Sequence, residues 1–190
     1  MIKCIQGLLQ PDAGSILVDD SEVVGLNENE KEEMHAKMGM LFQGGALFDS
    51  LSVWENVAFG LLENKKMPKK QAKNEAVRVL RQVGLAPDVA DLSPSELSGG
   101  MQKRLSIACA LASRPTLLLL DEPDAALDLV CKEDIREYIR LYCAQGNTVL
   151  LATHEEADFD LCSKLILLKD GHARTLAADT PVKEIIEYLS

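Results

Sequence analysis

The sequence predicts an α/β fold with a mostly parallel sheet, and three observations carry that prediction. Leu117–Leu120 is an unbroken leucine run, the pattern of a parallel strand buried on both faces. Strand-like runs at Thr148–Thr153 and Leu165–Leu168 alternate with helical spacing through the last third of the chain. From about Ser50 to Arg114 the pattern is helical, which sets off an α-helical subdomain (50–114) from a core made of residues 1–49 and 115–190. At 190 residues, 47% apolar and 26% charged, the chain has the length and composition of one globular domain.

Each element has its own signal. Met1–Leu9 reads as the end of a helix, Pro11–Gly14 as a turn and Ser15–Val18 as a strand. Asn27 and Glu30 form a capping box for a helix reaching Lys37, and Met38–Phe42 reads as a buried strand. Pro68 suits a first helical turn. Ala72, Ala76, Val77, Leu80 and Val83 then recur at helical spacing before Gly84. Ser98 can cap a helix striped by Met101, Leu105, Ala108 and Ala112. Cys131, Ile135, Tyr138, Ile139 and Tyr142 predict another helix, ended by Gly146. Asp170-Gly171 is a hairpin turn signal, and Thr180-Pro181 starts a final helix.

Composition excludes several functions. The formal charge of −10 argues against a nonspecific nucleic-acid binder, and 4% aromatics against a base-stacking platform. No stretch approaches the roughly 20 apolar residues of a spanning helix. No N-terminal segment reads as a signal peptide. Five cysteines without a CxxC pair do not suggest a disulfide framework or zinc ribbon; reduced, buried thiols in the cytoplasm are expected.

The chemistry-bearing residues follow in order. Asp121-Glu122 ends the leucine strand, where open α/β sheets bind ligands. One carboxylate there can hold Mg²⁺ and the next can deprotonate an attacking water; a surface pair before Pro123 is the plainer alternative. Ser98-Gly99-Gly100 opens a helix whose free N–H groups favour a phosphate, or is an ordinary cap. His154 follows a strand and can contact a γ-phosphate. Gln43 follows the Met38–Phe42 run, and Asp128 can simply cap a helix.

Taken in order, these motifs resemble the ATPase subunit of ABC transporters, which has a P-loop NTPase-like core. Gln43 is similar to the Q-loop glutamine, Leu97–Gln102 to the LSGGQ signature, Leu117–Glu122 to Walker B with the catalytic glutamate, Ala126–Asp128 to the D-loop, and His154 to the switch histidine. The resemblance implies ATP and Mg²⁺ as cofactors. Glu122, His154 and Gln43 would be catalytic. Ser98, Gly99, Gly100, Gln102 and Asp128 would be cofactor-binding, and Asp121 and Gln43 would hold the metal. It also implies a second ATPase subunit, transmembrane permease subunits and a substrate-binding protein as partners, no nucleic acid, and a place on the cytoplasmic face of the membrane. Gly39–Ser50 and Trp54–Phe59 are similar to the Mla and Mce-associated ATPases, which implies phospholipid as the cargo.

The chain contains no GxxxxGK[ST] phosphate loop. Met1–Leu9 resembles the helix that follows such a loop, so the expectation is of a copy starting just past it, without the preceding strands. A degenerate subunit lending only its signature motif to a partner, a noncatalytic interaction module, and a soluble ABC-type ATPase are the alternatives.

Overall fold

The computed structural model describes residues 1–41, 47–123 and 127–189. The chain divides into two compact units, Met1–Ala152 and Thr153–Ser190.

The first unit begins with a short helix α1 (Ile2–Ile5) and a small hairpin of β1 (Leu17–Val18) and β2 (Ser21–Glu22). Helix α2 (Glu28–Lys37) starts at the expected capping box, with Asn27 Oδ1 accepting from the Glu30 N–H at 3.1 Å. Then come β3 (Met38–Leu41), α3 (Val53–Glu63), α4 (Lys69–Gln82), α5 (Gly99–Leu111), β4 (Leu117–Asp121), α6 (Leu129–Ala144) and β5 (Thr148–Ala152). Helix α3 has no counterpart among the periodic runs picked out above. Its signals are a capping box at Ser52 and Glu55 and a buried face of Val53, Trp54, Val57, Ala58 and Leu61.

β3, β4 and β5 form a parallel sheet with β4 in the centre. Leu118 and Leu119 are fully buried and Leu120 is 2% exposed, as a strand covered on both faces requires. On one face Leu119 packs with Val23, Met34 and Met38. On the other, α5 lies close against β3: a Cβ on Gly39 would sit 2.3 Å from the Ala110 carbonyl oxygen and 2.7 Å from Pro115 Cγ. Helices α3, α4 and α5 pack on one another. Partly buried Glu75 joins α4 to the end of α5 by accepting from Arg78 and Arg114 at 2.7 and 2.9 Å.

In the second unit, β6 (Lys164–Lys169) and β7 (His172–Ala177) form an antiparallel hairpin. Asp170 and Gly171 both have positive φ, 49° and 77°, as the predicted tight turn demands. Helix α7 (Val182–Leu189) follows, with Ile185 buried. The expectation of buried thiols needs correcting: Cys143 is exposed, on the outward side of α6, and the other four cysteines are only partly buried. Among the described residues no helix is long and apolar enough to cross a membrane.

Two predictions follow from this packing. Gly39→Ala forces α5 off the sheet and should cost roughly 1–3 kcal/mol, the scale of overpacking; an unchanged denaturation midpoint would contradict the close approach. The Arg78 guanidinium, and then Arg114, hold the Glu75 carboxyl down from 4.5 to about 2. A depressed carboxyl stabilises the fold fully above its unfolded value, and that contribution fades as pH falls from 4.5 towards 2. Glu75→Gln should therefore flatten the loss of stability across that window, read by circular dichroism during acid titration.

Candidate active site

Within the first unit, Asp121 closes β4 at the carboxyl end of the parallel sheet, and Glu122 follows it. β3 ends at Leu41, two residues before Gln43, which lies outside the described residues. β4 ends at Asp121, in register with Ala152 at the end of β5. His154 comes two residues after Ala152 and belongs to the second unit. There Thr153 Oγ1 donates to Asp158 Oδ2 at 2.6 Å and accepts the Glu155 N–H at 3.0 Å, which shapes the turn that carries exposed His154.

Asp121 and Glu122 are adjacent but held differently. Asp121 is the last strand residue and is partly buried. Glu122 has φ 48°, in the left-handed region that residues with a Cβ rarely adopt. Its N–H donates to the Ala152 carbonyl at 2.9 Å. Its own carbonyl accepts from Lys103 Nζ at 3.1 Å. This turn takes the chain off the sheet immediately after the strand.

Ser98 is the N-cap of α5, its Oγ accepting from the Met101 N–H at 3.3 Å. A Cβ built on Gly99 would meet no atom within 4 Å. The helix start is therefore open ground where a phosphate can reach backbone N–H groups. Gly100 lies beside the start of α6, with Cys131 Sγ 3.8 Å and Leu127 Cδ2 3.9 Å from the position of its would-be Cβ. Gln102 turns back: its Nε2 donates to the carbonyls of Pro94 and Leu97 at 3.0 and 3.3 Å, bracing the approach to Ser98.

Asp128 caps α6. Its Oδ1 accepts the Cys131 N–H at 2.8 Å and its Oδ2 accepts the Cys131 thiol at 3.4 Å. Those bonds, the backbone one first, hold its carboxyl below the usual range. Arg104 on α5 donates to Cys131 Sγ at 3.1 Å and to Asp134 at 2.7 Å. The thiol contact first, and the Asp134 carboxylate after it, favour the charged guanidinium against its desolvation. Within the first unit, Lys103 and Arg104 thus link the Ser98–Gly100 helix to Glu122 and to the Asp128 cap. The sequence reading missed both links. The available signal was a basic pair in the second turn of a helix whose start suits a phosphate.

Among the described residues no three His, Cys, Asp or Glu side chains group as a metal site. Asp121, at the end of β4, nonetheless suits Mg²⁺, which can take a single carboxylate, keeps several waters and shares substrate phosphate oxygens.

A parallel sheet with an Asp-Glu pair at the end of its buried central strand, and a Ser-Gly-Gly helix start linked to that pair, defines a nucleoside-triphosphate-handling α/β protein. Residues 1–125 match the family described as ABC transporter, and the chain belongs to that family. A probable amino-acid ABC transporter ATP-binding protein of Haemophilus influenzae is 37% identical over 168 residues, 88% of this chain and 64% of that protein. The methionine import ATP-binding protein MetN of Carboxydothermus hydrogenoformans is 36% identical over 173 residues, 90% of this chain and 51% of that protein. Among solved structures, the ATP-binding cassette MJ0796, in a dimeric post-hydrolysis state bound to ADP and Pi, superposes with a TM-score of 0.86 at 30% identity. That match covers 93% of this chain and 78% of the cassette. The chain thus spans between about half and two thirds of the length of these two transporter relatives.

Because these 190 residues contain no GxxxxGK[ST] loop, the chain by itself should give no saturable heat on calorimetric titration with Mg-ATP. Micromolar binding would reveal a phosphate cradle elsewhere in the chain.

Proposed function

We propose that the chain is the ATP-hydrolysing part of an ABC transporter subunit, coupling hydrolysis to transport across a membrane. The observation that carries this reading is the pairing of Asp121-Glu122 at the end of β4 with the open Ser98–Gly100 helix start. Asp121, with Gln43, would hold Mg²⁺, which supplies charge neutralisation on the phosphates when bound. Glu122 is the general base that takes a proton from the attacking water. The Ser98 hydroxyl and the N–H groups of Gly99 and Gly100 face the γ-phosphate of ATP held by a second subunit. His154 stabilises the γ-phosphate of the ATP held in its own subunit, Asp128 sets the loop between the two sites, and Gln102 braces the signature segment. The site needs a phosphate loop, a motif these 190 residues do not contain. Transmembrane permease subunits and, for an importer, a substrate-binding protein are the remaining partners, with the chain peripheral on the cytoplasmic face.

The names of the two relatives support an amino-acid cargo. Gly39–Ser50 and Trp54–Phe59 favour a second reading, phospholipid, which neither relative's name carries.

In a version carrying a phosphate-loop segment ahead of Met1, Glu122→Gln should retain ATP binding and lose turnover by about 10²–10⁴-fold, the scale of general-base removal. Turnover at the parental rate would remove Glu122 from that role. The permease that co-purifies with the ATP-trapped variant, and the solute or lipid it carries, separate the two cargoes.

A further inference from the structure

We propose that Lys103 is a positioning residue for the Glu122 carboxylate, and that through it the signature helix sets the aim of the base; this rests on the reading of Glu122 as general base. Glu122 is held in a left-handed conformation, with φ 48°. A glutamate does not settle there unaided, because its Cβ crowds the neighbouring carbonyl. Both of its backbone polar groups are anchored, and on different elements. The N–H bonds to Ala152 at the end of β5 at 2.9 Å. The carbonyl accepts from the Lys103 ammonium on α5 at 3.1 Å. Fixing the peptide groups on both sides of one Cα fixes the direction in which its side chain leaves the backbone. The first anchor belongs to the sheet and is rigid. The second belongs to the helix capped by Ser98, five residues before Lys103. A shift of α5 on meeting a phosphate therefore reaches the backbone of Glu122 through one charge-assisted hydrogen bond, the stronger kind of such bond.

The test uses ATPase kinetics in the version that carries a phosphate-loop segment. Lys103→Met keeps the length and apolar stem of the side chain and removes the donor. It should lower kcat roughly tenfold, the scale of losing one hydrogen bond to a charged group, with KM for Mg-ATP within about twofold. Lys103→Arg, which restores a charged donor, should recover most of that loss. The double variant Lys103→Met with Glu122→Gln should turn over no more slowly than Glu122→Gln alone, because the amide leaves no base to aim. A raised KM at unchanged kcat, a failure of arginine to rescue, or an additive loss in the double variant would overturn the positioning role. If Lys103→Met does not fold, Lys103→Gln, with a neutral donor, should give a kcat between the parent and the tenfold loss, and parental kcat there overturns the proposal. Parental turnover by Glu122→Gln would instead sink the base assignment itself. An inactive Glu122→Gln beside a fully active Lys103→Met would leave the base standing and remove only Lys103.

Discussion

Everything placed at the candidate site depends on the burial of one strand. β4 is covered on both faces and hydrogen-bonded on both edges, to β3 and β5, so its backbone has no freedom to tilt or slide once the sheet forms. Burying three leucines to 2% exposure or less contributes several kcal/mol at roughly 1.5–3 kcal/mol each. The parallel arrangement brings the carboxyl ends of all three strands to one side. Asp121 is therefore delivered to that edge by the core, and Glu122 is the first residue beyond its protection. Holding a glutamate in the left-handed region costs about 1–2 kcal/mol. That cost is tolerable there because the strand before it is immobile and because the carbonyl of Glu122 meets Lys103.

Helix α5 is the second rigid part, and its two ends do different work. Its thirteen residues span about 20 Å at the usual helical rise. At the far end it sits against β3 so closely that Gly39 has no room for a side chain. At the near end Ser98 caps it, Gly99 faces open space, and Lys103 and Arg104 reach to Glu122 and to the α6 start. The close contact at Gly39 keeps the helix from sliding over the sheet. The polar contacts at the other end are side-chain bonds through flexible stems, which can lengthen or re-form without disturbing the core. Rigid packing at one end and adjustable bonds at the other suit an element that meets a ligand only at its start.

What was legible in the sequence was whatever repeats or punctuates. The leucine run announced β4, Asn27 and Glu30 announced α2, Ser98 announced α5, and Asp170-Gly171 announced the last hairpin. In α4 the stripe was read with Val77 in it, whereas Val79 is the fully buried residue and Val77 is partly exposed. Val77 and Val79, two positions apart, differ by about 200° in direction on the helix, and a list of apolar residues alone does not say where the buried stripe falls. Helix α3 escaped because its signal lay in the Ser52 and Glu55 cap more than in a long repeat. The site's wiring was illegible for a different reason. Lys103 to Glu122, Arg104 to Asp134 and Gln102 to Pro94 are bonds between polar groups, and periodicity reports which face is buried, not which carbonyl a long side chain will find. The order of motifs makes Ser98, Asp121, Glu122, Asp128 and His154 candidates; the cap that the sequence allows Asp128 is present in the structure, whereas the inward turn of Gln102 has no signal in the sequence.

The same leucine run that marks β4 also poses a problem of register. Where four consecutive side chains are identical and both faces are apolar, a one-residue slip exchanges leucine for leucine and meets little of the penalty that alternating strands impose. Yet a slip would carry Asp121 into the core or push Glu122 a residue beyond the sheet edge. The register must then be fixed by what is not repeated. At the start of the strand, the Thr116 N–H donates to the Lys37 carbonyl, and the Thr148 N–H donates to the Thr116 carbonyl, both at 2.9 Å. In the middle, Gly39 stands opposite Leu118, beneath Ala110 and Pro115, at a position where no other residue fits. At the end, the Glu122 N–H donates to the Ala152 carbonyl, which closes the ladder one residue past the strand. The leucines supply the energy of the strand, and these flanking groups decide where its two carboxylates emerge. A sheet that must present an Asp-Glu pair at one fixed height can use a featureless hydrophobic strand only because its ends are specified this tightly.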